Sequence, residues 1–372
     1  MNMQRLEWYR LTDTTHVISP SLLVYPDRIE KNIQLMIDMV GGPENLRPHI
    51  KTHKMGEIIR MQMNYGIQKF KCATIAEAEL LAQNKASDIL LAMQPVGANM
   101  ARFFELMEKY PDSNFSTLVD NAQTLDSFIM NAESKKTIIS LWVDINNGMD
   151  RTGIRIGEKA HQLYIAMYES KVVKPLGLHI YDGHIRDEDI SERKKVCDTA
   201  FEPVLEFQKT LEQHGFGPIQ MVAGGSPTFP IHSKRPGIES SPGTSLLWDE
   251  RYGSQFREMN FLPAAVLITR IISKPSDSTL CFDLGHKSIA PEMGFPRVKL
   301  FGLENCEQIG QSEEHLVVAC ANTESYEVGD VFYAIPMHIC PTVAKYEHVQ
   351  TVENHKITES WKVAARNQKI TI

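Results

Sequence analysis

Three features of the 372-residue sequence predict an α/β protein built on a (β/α)8 TIM barrel, followed by a C-terminal antiparallel β domain. Short apolar runs alternate with amphipathic stretches over residues 21–260, as in parallel sheets that helices cover on both faces. Eight such runs are present, the number that closes a barrel. Beyond residue 261 the apolar runs continue without long amphipathic helices between them, which is typical of antiparallel sheet.

Most of the predicted barrel strands are mainly apolar, and each except the last precedes a helical pattern. They are residues 22–25, 46–51, 69–73, 88–93, 115–120, 138–144, 175–180 and 219–223. Thr74-Ile75-Ala76-Glu77 has the spacing of a capping box and predicts a helix start. We predict an N-terminal segment (1–20) that packs on the β domain, a barrel (21–260) and a β domain (261–372) with a late strand at 361–366.

The overall charge and the termini limit the classes of function. Lysine and arginine number 39 against 46 acidic residues, and the net charge of -7 argues against a nucleic acid or an anionic membrane as partner. Residues 1–10 are too polar for a signal peptide, and no apolar run approaches the ~20 residues of a membrane span. Six scattered cysteines without CxxC pairs predict mostly reduced thiols. We therefore expect a cytoplasmic protein that acts on a small molecule.

The peptide Arg47-Pro48-His49-Ile50-Lys51-Thr52-His53-Lys54 ends the second predicted strand. Active sites of barrels lie at the carboxyl ends of their strands. Burial and neighbouring positive charges favour the neutral amine, which is the form that attacks a carbonyl. Lys51 is therefore predicted to form a Schiff base, with a solvated or anion-binding basic patch as the alternative.

Other predicted strand ends carry further candidate groups. These are Arg151 in a polar loop, His179 and Tyr181 on one side of the seventh strand, His184 after it, Gly224-Gly225-Ser226 after the eighth, and Gly243-Thr244 in a later turn. Paired glycines and hydroxyls can bind a phosphate through backbone N–H and O–H groups. A lysine, an arginine and a phosphate cradle are the parts needed to hold pyridoxal phosphate.

A second motif, His338-Ile339-Cys340, lies far along the chain. On a predicted strand, residues two apart face the same way, so both side chains can bind one cation. Nitrogen and sulfur donors suit zinc best among common divalent ions, and two ligands leave positions open for a substrate hydroxyl. A buried histidine and cysteine in a β core is the alternative.

From Pro20 to about Arg366 the sequence resembles the fold-type III pyridoxal-phosphate enzymes related to alanine racemase, and within them the D-threonine aldolase and D-serine dehydratase group. The resemblance implies a homodimer that binds pyridoxal 5'-phosphate and a divalent metal, zinc or manganese. It implies these roles: Lys51 as the cofactor lysine with His49 beside it, Arg151 at the phenolic oxygen, Tyr181 near the pyridine ring, Gly224-Gly225-Ser226 and Gly243-Thr244 at the phosphate, and His338 with Cys340 at the metal.

The resemblance implies a lyase that splits D-3-hydroxy amino acids into glycine and an aldehyde. Elimination to a 2-oxo acid and ammonia is the alternative, favoured by Cys340, whereas Asp283-Leu284-Gly285-His286-Lys287 is more similar to the aldolases. Lys51 is the candidate base for the α-proton, and His179 or His184 for the hydroxyl proton. A metal-free racemase, a non-catalytic cofactor carrier and a cofactor-free sugar-phosphate enzyme stay open.

The sequence also departs from the pattern of this group at three places. Ser245 follows Pro-Gly-Thr where an aromatic residue is common, Ala344-Lys345 replaces Asn-Leu, and Asn367-Gln368 replaces a glycine-basic ending. These departures concern the identity of the substrate more than the use of the cofactor.

Overall fold

A computed structural model describes residues 6–372, which form two compact units that are each discontinuous in sequence. The barrel unit comprises Gln34–Lys51, Ile59–Gly243 and Asn367–Ile372. The sheet unit comprises the described part of Met1–Ile33 together with Thr52–Ile58 and Thr244–Arg366. In the described chain, none of the helices has the length and apolar character needed to cross a bilayer.

The regular elements alternate along the first two thirds of the chain and are mainly strands thereafter. The helices are α1 (Pro26–Val40), α2 (Gly56–Asn64), α3 (Ile75–Gln83), α4 (Ala98–Lys109), α5 (Ala122–Lys135), α6 (Glu158–Glu169), α7 (Ile190–Gln213), α8 (Phe229–His232), α9 (Glu250–Gln255) and α10 (Ile339–Val343). The strands are β1 (Ser21–Val24), β2 (Lys69–Cys72), β3 (Asp88–Leu91), β4 (Asn114–Val119), β5 (Ile139–Ile145), β6 (Val173–Ile180), β7 (Gln220–Ala223), β8 (Ile238–Ser240), β9 (Ala265–Ser276), β10 (Thr279–Phe282), β11 (Val298–Leu300), β12 (Glu307–Gln311), β13 (Leu316–Ala319), β14 (Val331–Pro336), β15 (His348–Glu353) and β16 (Lys356–Lys362).

The barrel unit holds a parallel sheet in the order β2-β3-β4-β5-β6-β7-β8. Helix α3 begins where the sequence provides a cap. Thr74 Oγ1 accepts a hydrogen bond from the Glu77 N–H (3.1 Å), and a Glu77 carboxylate oxygen accepts one from the Ala73 N–H (2.6 Å). The predicted helix start is confirmed: the first bond satisfies an N–H group that the first turn of α3 leaves open, while the second reaches the residue before Thr74 instead of Thr74 itself.

The segment 46–50 closes this sheet into a barrel although it is too irregular to count as a strand. On one side, Leu46 pairs with Ser240 at the end of β8. On the other side, the Lys71 N–H of β2 donates to the Pro48 carbonyl at 2.9 Å. The segment therefore occupies the eighth strand position of the barrel, between β8 and β2, and it ends directly before Lys51.

The fold class predicted from the sequence is confirmed, but the strand assignment was wrong at both ends. The run at 22–25 was counted as the first barrel strand, whereas β1 pairs with β9 and β15 in the sheet unit. Strand β8 was not predicted. Leu22, Leu23 and Val24 are almost completely buried, so their apolar pattern fits any buried strand and cannot indicate which sheet it joins.

Arg47 links the segment 46–50 to β3 and β8 through ion pairs. Its guanidinium group is 1% exposed and makes ion pairs with Asp88 of β3 (2.6 Å) and Glu239 of β8 (2.7 Å). Glu239 also binds Lys69. A buried charge needs such partners, since leaving it unpaired costs several kcal/mol. Arg47 therefore has a structural function, which differs from the predicted role of general electrostatic surroundings for Lys51.

The sheet unit contains nine strands, seven of them in the order β12-β13-β10-β9-β1-β15-β16, with β14 joining β9 to β11. All pairings are antiparallel except that of β1 with β15. Its core contains Leu23, Val266, Ile268 and Tyr333, and Tyr9 from the N-terminal segment packs there. The late strand predicted at 361–366 overlaps β16 only at residues 361 and 362, because β16 ends at Lys362 and residues 364–366 form a short 3-10 helix. The boundaries predicted at residues 20 and 260 stay predictions.

The six cysteines differ in state. Cys306 and Cys320, 14 residues apart, form a disulfide, which the sequence did not indicate. The other four, at positions 72, 197, 281 and 340, are free, in agreement with the expectation that most are reduced. Only Cys340 among these is partly exposed.

Candidate functional site

Lys51 follows the closing segment and begins a turn at the end of the barrel. Its backbone N–H donates to His49 Nδ1 at 3.2 Å, so the imidazole nitrogen facing the backbone is an acceptor. Its Nζ lies 5.7 Å from the centre of the Tyr181 ring, which follows β6. The structure thus brings together Lys51 and Tyr181, which the sequence separates by 130 positions.

Three cationic groups surround the Tyr181 ring. Besides Lys51, the Arg151 guanidinium carbon lies 4.8 Å from the ring centre and Lys71 Nζ lies 5.8 Å from it. We call the space bordered by Lys51, Lys71, Arg151 and Tyr181 the Tyr181 pocket. The electron-rich faces of aromatic rings attract cations at such distances, and the concentration of positive charge favours an anionic ligand. Lys71 was not predicted.

The Arg151 loop is held in shape by the strand that precedes it. The Ile154 N–H donates to the Asp144 carbonyl (2.8 Å), and the Asn146 N–H donates to the Ile154 carbonyl (3.0 Å), so the loop returns to the end of β5. Gly153 has a φ of +95°, and a Cβ there would lie 2.7 Å from the Asn146 nitrogen. This tight return requires glycine and directs Arg151 over the Tyr181 ring.

His179 and Asp144 form a buried pair on β6 and β5. His179 Nδ1 lies 2.8 Å from an Asp144 carboxylate oxygen, and Gln94 donates to the other oxygen at 2.9 Å. Burial lowers the pKa of His179, so the ring is neutral at pH 7 and Nδ1–H is the donor. Although burial opposes it, the bond from His179 lowers the pKa of Asp144.

The second imidazole nitrogen of His179, Nε2, is a hydrogen-bond acceptor that lacks a donor among the described residues. His179 Nε2 is buried and has no hydrogen-bond partner within residues 6–372. Buried polar atoms are rarely left unsatisfied, so this atom marks a place where a ligand or a proton can be taken up. His184 lies elsewhere: it is exposed and close to Gly148 of the Arg151 loop. The two histidines predicted as bases thus have different surroundings.

The glycine turn after β7 approaches the same pocket. Gly224 has a φ of +79°, and a Cβ on Gly225 would lie 2.9 Å from Tyr181 Cε2. Glycine at position 225 therefore permits the backbone to lie against the Tyr181 ring. Ser226 Oγ accepts from the Gly243 N–H at 3.3 Å, which joins the two turns predicted to bind phosphate.

A buried hydrogen-bond network of Thr228, Asp182 and His232 holds the Gly224-Gly225 turn in place. Thr228 Oγ1 accepts from the Gly225 N–H (3.3 Å) and donates to Asp182 (2.7 Å). His232 Nε2 lies 2.7 Å from the other Asp182 oxygen. Although burial opposes it, these hydrogen bonds to the carboxylate lower the pKa of Asp182. The network fixes the turn through an anionic carboxylate with two donors.

Asp182, Cys197 and His232 also lie close enough together to hold a metal ion. One observation argues for a hydrogen-bonded network instead. Arg235 Nη1 donates to His232 Nδ1 at 2.6 Å, which makes Nε2–H the donor to Asp182 and leaves no free nitrogen.

These groups fit pyridoxal phosphate. Lys51 offers an amine for covalent attachment, and Arg151 offers a cation for an anionic ring oxygen. The turn from Gly224 to Ser226 offers backbone and hydroxyl donors for the phosphate, and glycine at position 225 lets this turn lie against the Tyr181 ring. The unsatisfied His179 nitrogen offers a further acceptor.

The predicted metal pair lies in the sheet unit, but the strand prediction was wrong. Strand β14 ends at Pro336, His338 precedes α10, and Cys340 lies in the first turn of that helix. The two side chains are nevertheless in contact. Burial alone would lower the pKa of His338, but hydrogen bonds to Cys340 and to Glu292 raise it to about 9.

The surroundings of this pair fit a divalent metal such as zinc. His338 Nδ1 lies 2.5 Å from a Glu292 carboxylate oxygen, so Nε2 is the nitrogen that would bind a metal, in exchange for its proton. A carboxylate on the second nitrogen of a metal-binding histidine orients the ring and increases its basicity. Cys340 Sγ lies 3.1 Å from the hydroxyl of Thr52, the residue after Lys51, and 3.5 Å from that of Thr244. Thr244 was predicted at the phosphate.

Comparisons with known proteins agree with this chemistry. Residues 24–248 match the family described as alanine racemase, N-terminal domain, and residues 264–352 match a serine dehydratase domain. The chain is 25% identical over 369 residues to the 3-hydroxy-D-aspartate aldolase of Paracoccus denitrificans (strain Pd 1222), covering 96% of this chain and 94% of the relative. It is 25% identical over 362 residues to the D-threonine aldolase of an Arthrobacter species, covering 94% and 93%.

A solved structure with the same fold is that of the D-threonine aldolase from Filomicrobium marinum. The TM-score is 0.87 at 23% identity, and the superposition covers 94% of this chain and 95% of the other. The alanine racemase match alone covers more than half of the described sequence. The protein therefore belongs to the alanine racemase N-terminal-domain family, within the fold-type III pyridoxal-phosphate-dependent enzymes.

Proposed function

We propose that this protein is a metal-dependent lyase that splits D-3-hydroxy amino acids into glycine and an aldehyde. The observation that carries the choice of a lyase is the contact between His338 and Cys340, with Glu292 on the second imidazole nitrogen. A racemase needs no metal and would leave this arrangement without a purpose. The aldolase activities of the two relatives support the same choice.

Each group of the chain has a proposed task in this reaction. Pyridoxal phosphate supplies an electron sink for the negative charge that develops at the substrate Cα. A divalent metal supplies a Lewis acid for a substrate hydroxyl. Lys51 would hold the cofactor covalently in the absence of substrate. Once the substrate amine has displaced it, the free Lys51 amine would return a proton to Cα after the Cα–Cβ bond breaks, while Arg151 and the Gly224-Gly225 turn would orient the cofactor.

His179 is the proposed acceptor of the hydroxyl proton. Its Nδ1–H is committed to Asp144, so Nε2 carries the free lone pair, and Asp144 stabilises the imidazolium that forms. His184 is exposed, so water would compete with it as the acceptor of the hydroxyl proton. His184 is therefore the second candidate for this task.

Elimination to a 2-oxo acid and ammonia is the second candidate function. It is favoured by Cys340 as the second metal residue and by the match of residues 264–352 to a serine dehydratase domain. The predicted homodimer, the cytoplasmic location and the absence of nucleic-acid and membrane partners stay predictions.

The test is a product assay. Purified protein loaded with pyridoxal phosphate and zinc or manganese is given D-threonine, D-serine or D-3-hydroxyaspartate, and glycine is measured separately from 2-oxo acid and ammonia. We expect glycine and an aldehyde, loss of activity after treatment with a strong chelator, and recovery on return of the metal. Full activity in the chelated enzyme would contradict the metal-dependent lyase, and ammonia without glycine would select elimination.

A further inference from the structure

Lys71 lies inside the barrel beside the groups that hold the cofactor. It aligns with Leu90 of β3, whose side chain belongs to the interior cluster with Leu118 and Trp142. Residues paired in a parallel sheet point to the same face, so Lys71 also points inward. Its neighbours in β2, Phe70 and Cys72, are fully buried on the opposite face.

The environment of Lys71 is unusual for a lysine. The residue is only 2% exposed. Within residues 6–372 its ammonium makes no hydrogen bond, and its Nζ lies 5.8 Å from the centre of the Tyr181 ring. Burial, reinforced by the nearby positive charge of Lys51, lowers the pKa of Lys71 to about 7, while Asp182 and Asp144 act in the opposite direction. Fully buried lysines are rare unless they are paired.

In the Tyr181 pocket, a bound ligand would supply the hydrogen-bond acceptor that the Lys71 amine lacks. Lys51, Arg151 and Lys71 approach the same ring within 6 Å, so a molecule that reaches Lys51 also lies within reach of Lys71. Arg47, the other buried cation near Lys71, already forms ion pairs with Asp88 and Glu239 and therefore needs no ligand to neutralise it. A charge-assisted hydrogen bond to an anionic acceptor would satisfy Lys71.

We propose that Lys71 is a second ligand-binding lysine of the Tyr181 pocket, whose ammonium donates a hydrogen bond to an anionic acceptor atom of the bound ligand. This inference rests on the proposed function in that Lys51 holds pyridoxal phosphate. The acceptor belongs either to the cofactor or to the carboxylate of the amino-acid substrate. Lys71 makes no covalent bond and is a binding residue that complements Lys51.

The experiment compares Lys71→Met with wild type and with Lys85→Met, which alters an exposed lysine near the start of β3. Three quantities are measured for each protein: the dissociation constant of pyridoxal phosphate by fluorescence titration, the absorption spectrum of the bound cofactor, and kcat and KM with D-threonine. Borohydride reduction followed by peptide mapping shows independently whether Lys51 carries a pyridoxyl group.

A cofactor acceptor predicts that Lys71→Met weakens cofactor binding about tenfold or more and shifts the spectrum, as loss of one charged hydrogen bond does. A substrate acceptor predicts unchanged cofactor binding and an increase of KM of about tenfold with little change in kcat. Lys85→Met should match wild type in both cases. Wild-type values of both constants in Lys71→Met, with Lys51 still labelled, would overturn the inference alone.

Two further results keep the test decisive. An unlabelled Lys51 in the wild-type protein would overturn both the proposed function and this inference. If Lys71→Met does not fold, Lys71→Gln and Lys71→Arg replace it. We expect Lys71→Gln to weaken binding of the cofactor or of D-threonine about tenfold and Lys71→Arg, which keeps the charge and the donors, to recover part of the loss. Wild-type constants in Lys71→Gln would overturn the inference.

Discussion

The network behind the glycine turn gives a sharp prediction, because a metal site and a hydrogen-bonded network respond differently to mutation. Asp182→Asn keeps the shape of the side chain but removes its charge and replaces one acceptor oxygen with an NH2 group. Cys197→Ala removes the thiol and leaves Asp182 and His232 in contact. The two variants therefore separate the carboxylate from the third possible metal ligand.

The expected magnitudes follow from the bonds that each variant loses. Asp182 is 1% exposed and accepts hydrogen bonds from Thr228 and His232, both at 2.7 Å. Hydrogen bonds to a charged group contribute about 1.5–3 kcal/mol each, so Asp182→Asn, which removes the charge from both bonds, should lower the free energy of unfolding by up to roughly 3–6 kcal/mol. Cys197→Ala should cost only about 1 kcal/mol, the effect of removing one small buried group.

The assay is urea unfolding followed by circular dichroism at several pH values. The hydrogen bonds lower the pKa of Asp182 below its ordinary value of 3.8 in the folded protein. Its contribution to stability is thus complete above that value and is lost as the pH falls through the lowered pKa. The difference between wild type and Asp182→Asn should therefore be full at pH 7 and shrink in acid.

A result in which Cys197→Ala is as unstable as Asp182→Asn would refute this reasoning. The same holds if zinc stabilises the wild-type protein but not Cys197→Ala, since a network of hydrogen bonds has no use for the ion.

Two further predictions concern the cofactor and the metal. Gly225→Ala places a Cβ 2.9 Å from Tyr181 Cε2, and this overlap should weaken pyridoxal phosphate binding about tenfold in fluorescence titration. Gly294→Ala is the control, because a Cβ there has no atom within 4 Å, and it should bind the cofactor normally. Wild-type affinity in Gly225→Ala would contradict the close approach of this turn to the ring. Glu292→Gln should lower zinc affinity about 10- to 100-fold in competition with a coloured chelator, while the exposed Glu313→Gln serves as the control. Equal affinities of the two glutamine variants would remove Glu292 from the metal site.

Local sequence signals predicted the parts of the fold that depend on local physics. The Thr74-Glu77 capping box was visible because its hydrogen bonds join residues three and four apart. The apolar runs of the barrel were visible because parallel strands are covered on both faces. The same property misled the assignment of β1, since burial on both faces occurs in either sheet and carries no information on the partner strand.

The candidate site was predictable where a short peptide carries the chemistry. Lys51 was singled out from its own octapeptide. The contact between His338 and Cys340 was predicted from their spacing on a strand, whereas the structure forms it at the start of α10. Glu292 was missed because it lies 46 residues from His338 and only tertiary folding brings them together. Lys71 was missed although its strand alternates in polarity, because an isolated lysine is ordinarily exposed and its inward direction depends on the closed barrel.

The position of β1 has a consequence for how this chain can be divided. Its two hydrogen-bonding neighbours, β9 and β15, both begin after residue 260. A fragment that ends at residue 260 would expose both edges of an apolar strand, which is a template for aggregation. Gene fusions that exchange residues 21–260 between relatives should therefore carry the matching C-terminal sheet, because β1 would otherwise lose both of its pairing partners.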